Sequence, residues 1–124
     1  MNAFDRAKTA YASAEAPTRT PRSIEYEVFA QVTHRLKAAE AQAQQNFALL
    51  ARALYDNRAL WSVMAADVAG DGNGLPLALR QQIYELARFT NKHTSKVLAG
   101  TATALALIDI NTAIMRGLRK EARE

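Results

Sequence analysis

The chain predicts an all-α fold, a small bundle of four to five helices with one long helix in its N-terminal half. Three observations carry this. Apolar residues make up 49% of the sequence and aromatics only 7%, so the surplus is aliphatic and Ala-rich, which suits close-packed helices and fits sheets poorly. The helix breakers are few and clustered, with Pro at 17, 21 and 76 and Gly at 70, 72, 74, 100 and 117. Between those clusters apolar residues recur every three or four positions. The 124 residues form a single domain, 1–124, long enough for a modest core.

Taken in order, residues 1–22 read as a flexible short helix over 1–15, with Phe4 and Tyr11 as its larger apolar groups, followed by a linker over 16–22. The prolines at 17 and 21 break any helix there and favour extended backbone. Ser23 is a good N-cap, with Glu25 and Glu27 in a first turn where the helix dipole favours negative charge. From there no Gly or Pro occurs until Gly70. Ile24, Val28, Val32, Leu36, Ala39, Ala43, Phe47, Leu50 and Leu54 form a slowly drifting stripe. A continuous helix over this stripe would be about 50 Å long at about 1.5 Å per residue. It admits a bend at Gln42–Gln45, although no breaker stands there.

Asp56-Asn57 reads as a soft break, because either side chain can cap a following helix over about 58–69. That helix puts Leu60, Trp61, Met64 and Val68 on one face. Gly70-Asp71-Gly72-Asn73-Gly74 is a loop, and Pro76 fits the start of the next helix. Over 77–99, Leu79, Ile83, Leu86, Ala87, Thr90, Thr94 and Val97 share a face, and Gly100 supplies the left-handed stop. Thr101 or Thr103 caps a last helix over about 103–121, whose face is Leu107, Ile108, Ile114, Met115 and Leu118 with Asn111 in its middle. The last three helices are expected to pack antiparallel against the long one.

Composition also excludes several functions. Without Cys there are no disulfides, thiolate zinc sites or Cys nucleophiles. Met1–Glu15 carries Asp5, Arg6, Lys8 and Glu15 and lacks the apolar run of a signal peptide. No apolar run approaches the roughly 18 residues of a membrane span, so a cytoplasmic protein is expected. The net charge is +4, with +1 in the first 56 residues and +3 in the rest, a milder bias than nucleic-acid binders usually show.

No constellation reads as catalytic or cofactor-binding. His34 and His93 fall on different helices with no Ser, Asp or Glu pattern around them. A calcium loop read from Asp71 would need a ligand at Leu75 and an acid at Gln82, and one read from Asp67 a ligand at Ala69 and an acid at Ala78. Both fail, which leaves a Gly-rich helix–helix turn. Arg88, Lys92 and Lys96, with Arg80, could follow phosphates, yet Glu85 interrupts the row and only Tyr84 offers a stacking ring, so a solvated helix face fits better. Trp61 is either core or the anchor of a partner helix. Asn111 on an apolar stripe either ties a neighbouring helix end or the 70–76 turn, or faces a groove and bonds to a bound peptide.

Asn57-Arg58-x-Leu60-Trp61, then Asp67, Asn73-x-Leu75-Pro76 and Leu107-Ile-Asp-Ile-Asn111-x-x-Ile114-Met115-x-Gly117-Leu118 resemble the FlaF family of flagellar biosynthesis regulators. Glu25-Tyr26, Val28-Phe29, Leu79-Arg80 and His93-Thr94 are further matches, so the resemblance runs from about Tyr11 to Leu118. Thr112, in place of a frequent Arg, and Phe89, in place of a frequent Trp, depart from the family pattern. The resemblance implies a non-enzymatic cytoplasmic regulator of bacterial flagellum assembly, tied to flagellin synthesis and export and acting alongside the regulator FlbT. It implies no cofactor. A flagellin-binding chaperone would use Leu60, Trp61, Met64, Asn111, Ile114 and Met115 as its contact surface. On that reading Trp61→Ala weakens partner binding more than it lowers helix content. The alternatives are an RNA-binding regulator using Arg88, Lys92 and Lys96, and an adaptor for FlbT. The sequence leaves the oligomeric state open.

Overall fold

The computed structural model describes residues 21–70 and 74–123. Among them are four helices and no strand: α1 (Pro21–Ala41), α2 (Phe47–Ala69), α3 (Leu77–Leu98) and α4 (Leu105–Arg123). The all-α expectation holds. The short helix expected over 1–15 and most of the proline linker lie outside the described residues.

The N-terminal boundaries differ from those the sequence predicts. α1 starts at Pro21, so Ser23 lies inside the helix and not at its cap. A proline at the first helical position lacks only an N–H that would have no intrahelical acceptor, and its fixed φ suits the helix. The expected long helix is divided: Gln42–Gln45 form turns and α2 begins at Phe47. Asn46 caps α2, its Oδ1 accepting from the Leu49 N–H at 3.1 Å. Asn46 is the one strong capping residue in the Ala/Gln-rich run, and it is the local signal for this break. Folding back there lets the apolar stripes of α1 and α2 bury one another, which a straight rod could not do. Phe47, expected on the stripe, is 46% exposed at the new helix start. Asp56-Asn57 is no break at all; it lies inside α2.

The core has two apolar tiers. One gathers Val28, Phe29 and Val32 of α1, Leu60, Trp61, Met64 and Val68 of α2, and Ile83 and Ala87 of α3, with Ile110, Ile114 and Met115 of α4 packed against it. The other gathers Leu36 and Ala39, Leu50, Ala53 and Leu54, Val97, and Ala104, Leu107 and Ile108. Each helix therefore runs from one tier to the other, and successive helices run in opposite directions, an up-down-up-down bundle. α1 packs on α2 and α4, and α2 packs on α1 and α3, while α3 and α4 meet only lightly. α2 and α4 occupy opposite corners, so the last three helices do not all pack on one partner as expected.

α3 and α4 are joined as Gly100 predicts. Its φ is +80°, the Gly100 N–H donates to Val97 O and the Thr101 N–H to Lys96 O, both at 3.0 Å, a Schellman closure. The Thr103 hydroxyl accepts from the Leu105 N–H at 3.4 Å, and the Thr103 carbonyl meets His93 Nε2 at 2.8 Å. No helix among the described residues is long and apolar enough to cross a membrane.

Removing the Asn46 cap by Asn46→Ala is expected to cost about 1 kcal/mol of stability. Urea denaturation with an unchanged m-value checks this, because the turn is then weakened without the denatured state being altered.

Candidate partner-binding site

Between the two apolar tiers lies a layer of buried polar side chains to which every described helix contributes. Thr33 stands between Val32 and Leu36, Asn57 between Leu54 and Leu60, Thr90 and Thr94 between Ala87 and Val97, and Asn111 between Ile108 and Ile114. Asn57 and Asn111 are both 0% exposed. Trp61 Nε1 donates to Asn111 Oδ1 at 2.8 Å, and Asn111 Nδ2 donates to Asn57 Oδ1 at 2.7 Å. Because α2 and α4 sit on opposite corners, this chain of bonds crosses the centre of the bundle. Phe29 stacks edge-on against Trp61, the ring centroids 5.8 Å apart and the planes at 83°, so the indole is also held from α1.

Thr94 returns its hydroxyl to the Thr90 carbonyl at 2.6 Å. Asn57 Nδ2, Thr33 Oγ1 and Thr90 Oγ1 are buried without a hydrogen-bond partner. The layer is thus only partly satisfied, and the bonds to Asn111 account for most of what holds it in place.

These placements correct the expected contact surface. Leu60, Trp61 and Met64 are 2%, 1% and 8% exposed and belong to the apolar tier. Asn111 faces no groove; it is fully buried and bonds to two side chains of α2. Four of the six expected contact residues are therefore core of the folded chain. Ile114 and Met115 are partly buried at the edge of the same tier. Sequence reasoning missed Asn57, which looked like a cap; the signal was its position three residues after Leu54 and three before Leu60 on one apolar stripe.

More of the exposed large apolar side chains lie along α3 than along any other described helix. Leu77, Leu79, Tyr84, Phe89 and Leu98 are exposed, five of the nine exposed large apolar side chains among the described residues. Leu79 thus departs from the buried face expected for it. Phe89 stacks on His93 with the rings 5.3 Å apart. Arg88, Lys92 and Lys96 are exposed on this helix as expected, and Arg88 lies 4.0 Å from Glu85, a surface pair with both side chains more than half in solvent.

Beside this face, between α2 and α3, a cleft of about 170 Å³ is lined by Arg58, Trp61 and Ser62 on one wall and Tyr84, Arg88 and Asn91 on the other. Arg58 Nη2 reaches across to α3, donating to the Asn91 carbonyl at 2.9 Å and to Ser95 Oγ at 2.8 Å. Among the described residues no group of His, Cys, Asp or Glu could hold a metal ion. Asp71 and Asn73, which suggested calcium, lie outside the described residues.

A family model described as the flagellar protein FlaF matches residues 7–118. No curated protein and no solved structure matches the chain.

Two variants test the polar brace. Asn111→Ala leaves Trp61 Nε1–H and Asn57 Oδ1 unpaired and is expected to cost roughly 2–4 kcal/mol. A cycle with Asn57→Ala, read by urea denaturation, should show a coupling of at least about 0.5 kcal/mol. Trp61→Ala is expected to cost about 3–5 kcal/mol. Circular dichroism on heating should show the loss of stability directly; a variant as stable as the parent would put Trp61 outside the core.

Proposed function

The chain belongs to the FlaF family of flagellar proteins, and from that premise we propose that it is a non-enzymatic regulator of flagellum biogenesis that binds flagellin as a cytoplasmic export chaperone and promotes its synthesis and secretion. The observation that carries the binding part is α3. This helix is buried on α2, meets α4 only lightly, and presents Leu77, Leu79, Tyr84, Phe89 and Leu98 to solvent. Isolated exposed apolar residues are ordinary, but Leu77 and Tyr84, two turns apart on α3, lie on one line of the helix and give a second amphipathic helix two anchors to cover. Terminal segments of unassembled flagellin are partners of that kind, read through anchors at helical spacing.

The resemblance also makes FlbT and RNA candidates for the direct partner. The exposed Arg88, Lys92 and Lys96 are compatible with phosphate contact, but the α3 face is mixed, with apolar groups among the cations, and this favours a protein segment.

Co-purification with flagellin from the same cell, followed by titration calorimetry at several temperatures, tests the proposal. A stoichiometric complex with a negative heat-capacity change is expected, because apolar area is buried on binding. A folded protein that binds no flagellin overturns the proposal. Affinity for flagellin message that falls steeply with salt would then identify RNA as the partner, and a stable complex with FlbT would identify the adaptor role.

A further inference from the structure

We propose that the cleft between α2 and α3 is a socket for a carboxylate-bearing side chain of an amphipathic helical segment of the protein partner, seated beside an apolar side chain of that segment. The inference deepens the flagellin-binding reading and rests on it for the identity of the partner. Four observations support it.

The first is size. At about 170 Å³ the cleft is smaller than the roughly 300–1,000 Å³ of most small-molecule and cofactor sites, and it suits one bulky side chain. The second is the floor. Trp61 and Ala87, 1% and 8% exposed, close the base of the cleft, and Tyr84 stands 44% exposed at its side. A side chain entering there meets apolar surface below and a ring with a hydroxyl beside it.

The third is charge. Arg58 on α2 and Arg88 on α3 line opposite walls. The Arg58 guanidinium is held by a neutral carbonyl and a neutral hydroxyl, and no ion pair to it is found among the described residues. Its orientation is fixed, and no carboxylate among the described residues compensates its charge. Arg88 is paired only weakly, at 4.0 Å, with Glu85. Two guanidiniums over an apolar floor form a site for a carboxylate, which they can bind with directional bonds. Lys92 and Lys96 extend the positive face along α3 and steer an acidic partner toward it. The fourth is orphaned polarity. Arg58 and Thr90 both line the cleft, and Arg58 Nε and Thr90 Oγ1 are buried with no hydrogen-bond partner among the described residues.

The test uses the full chain and surface variants that leave the core untouched. Arg88→Glu and Tyr84→Ala are expected to weaken flagellin binding by about tenfold each, while Arg116→Glu, exposed on α4 and outside the cleft, changes it by less than about twofold. Circular dichroism confirms that all three variants are folded. If flagellin binds and neither cleft variant weakens it, the socket is overturned and the flagellin reading stands. If flagellin does not bind, a second probe decides. This is a blocked amphipathic peptide of Glu and Leu about 18 residues long, with its Gln-for-Glu counterpart as control. Trp61 is the only Trp in the chain and lines the cleft, so its emission reports occupancy. A saturable change with the Glu peptide, absent with the Gln peptide and in Arg88→Glu, supports the socket while the flagellin reading falls. No change with either peptide overturns both.

Discussion

The bonds from Asn111 to Asn57 and Trp61 span the bundle between helices that make no backbone approach to one another. A buried amide left unpaired costs on the order of 1–3 kcal/mol, so the two helices are constrained to the one register in which both bonds form. Sliding α4 by a helical turn, about 5.4 Å, would break both bonds and orphan their two donors and two acceptors at once. The apolar tiers above and below tolerate small shifts, since aliphatic contacts are non-directional. The polar layer does not. It converts a generic four-helix collapse into one defined arrangement, and the Phe29–Trp61 edge contact ties α1 into the same centre.

α3 is outside this brace. Its polar residues Thr90 and Thr94 sit in the layer, yet the bond made by the Thr94 hydroxyl stays within α3, to the Thr90 carbonyl. What holds α3 is apolar packing on α2, the Arg58 reach to Asn91 and Ser95, and the tight Gly100 turn with its His93–Thr103 contact. A helix held chiefly from one side has a free side, and in this chain the free side carries the cations Arg88, Lys92 and Lys96 with Leu77 and Phe89 at its edges. The same asymmetry leaves a cleft along the α2–α3 seam with two guanidiniums at its walls. The rigid half of the bundle and the available half are thus different helices. That separation leaves one face of the folded bundle exposed while the other half is locked in register.

The motif that first suggests the family, Asn57-Arg58-x-Leu60-Trp61, divides its labour in the fold. Asn57, Leu60 and Trp61 point inward and build the centre, while Arg58 lies on the flank and joins α2 to α3. Asn111, from the second motif, completes that centre from α4. The residues that carry the family match are therefore mostly those that define the packing, and the exposed apolar and basic side chains of α3 are largely other positions.

The sequence by itself determined what local chemistry can determine. Gly100 demanded a left-handed stop, Pro76 a helix start, and the spacing of Ile83, Ala87, Thr90, Thr94 and Val97 a single buried face; each depends on residues within a few positions. Asn111 was legible as an anomaly, because an amide on an apolar stripe stands out without any structure. Its partners were not, for they lie 50 and 54 residues away. Only the tertiary structure decided that Trp61 is core, that Asn57 is a core amide and no cap, that the long stripe folds back at Asn46, and that α3 is the exposed helix. Periodicity says which face of a helix is apolar, but whether that face meets its own chain or a partner depends on the packing of all the helices together.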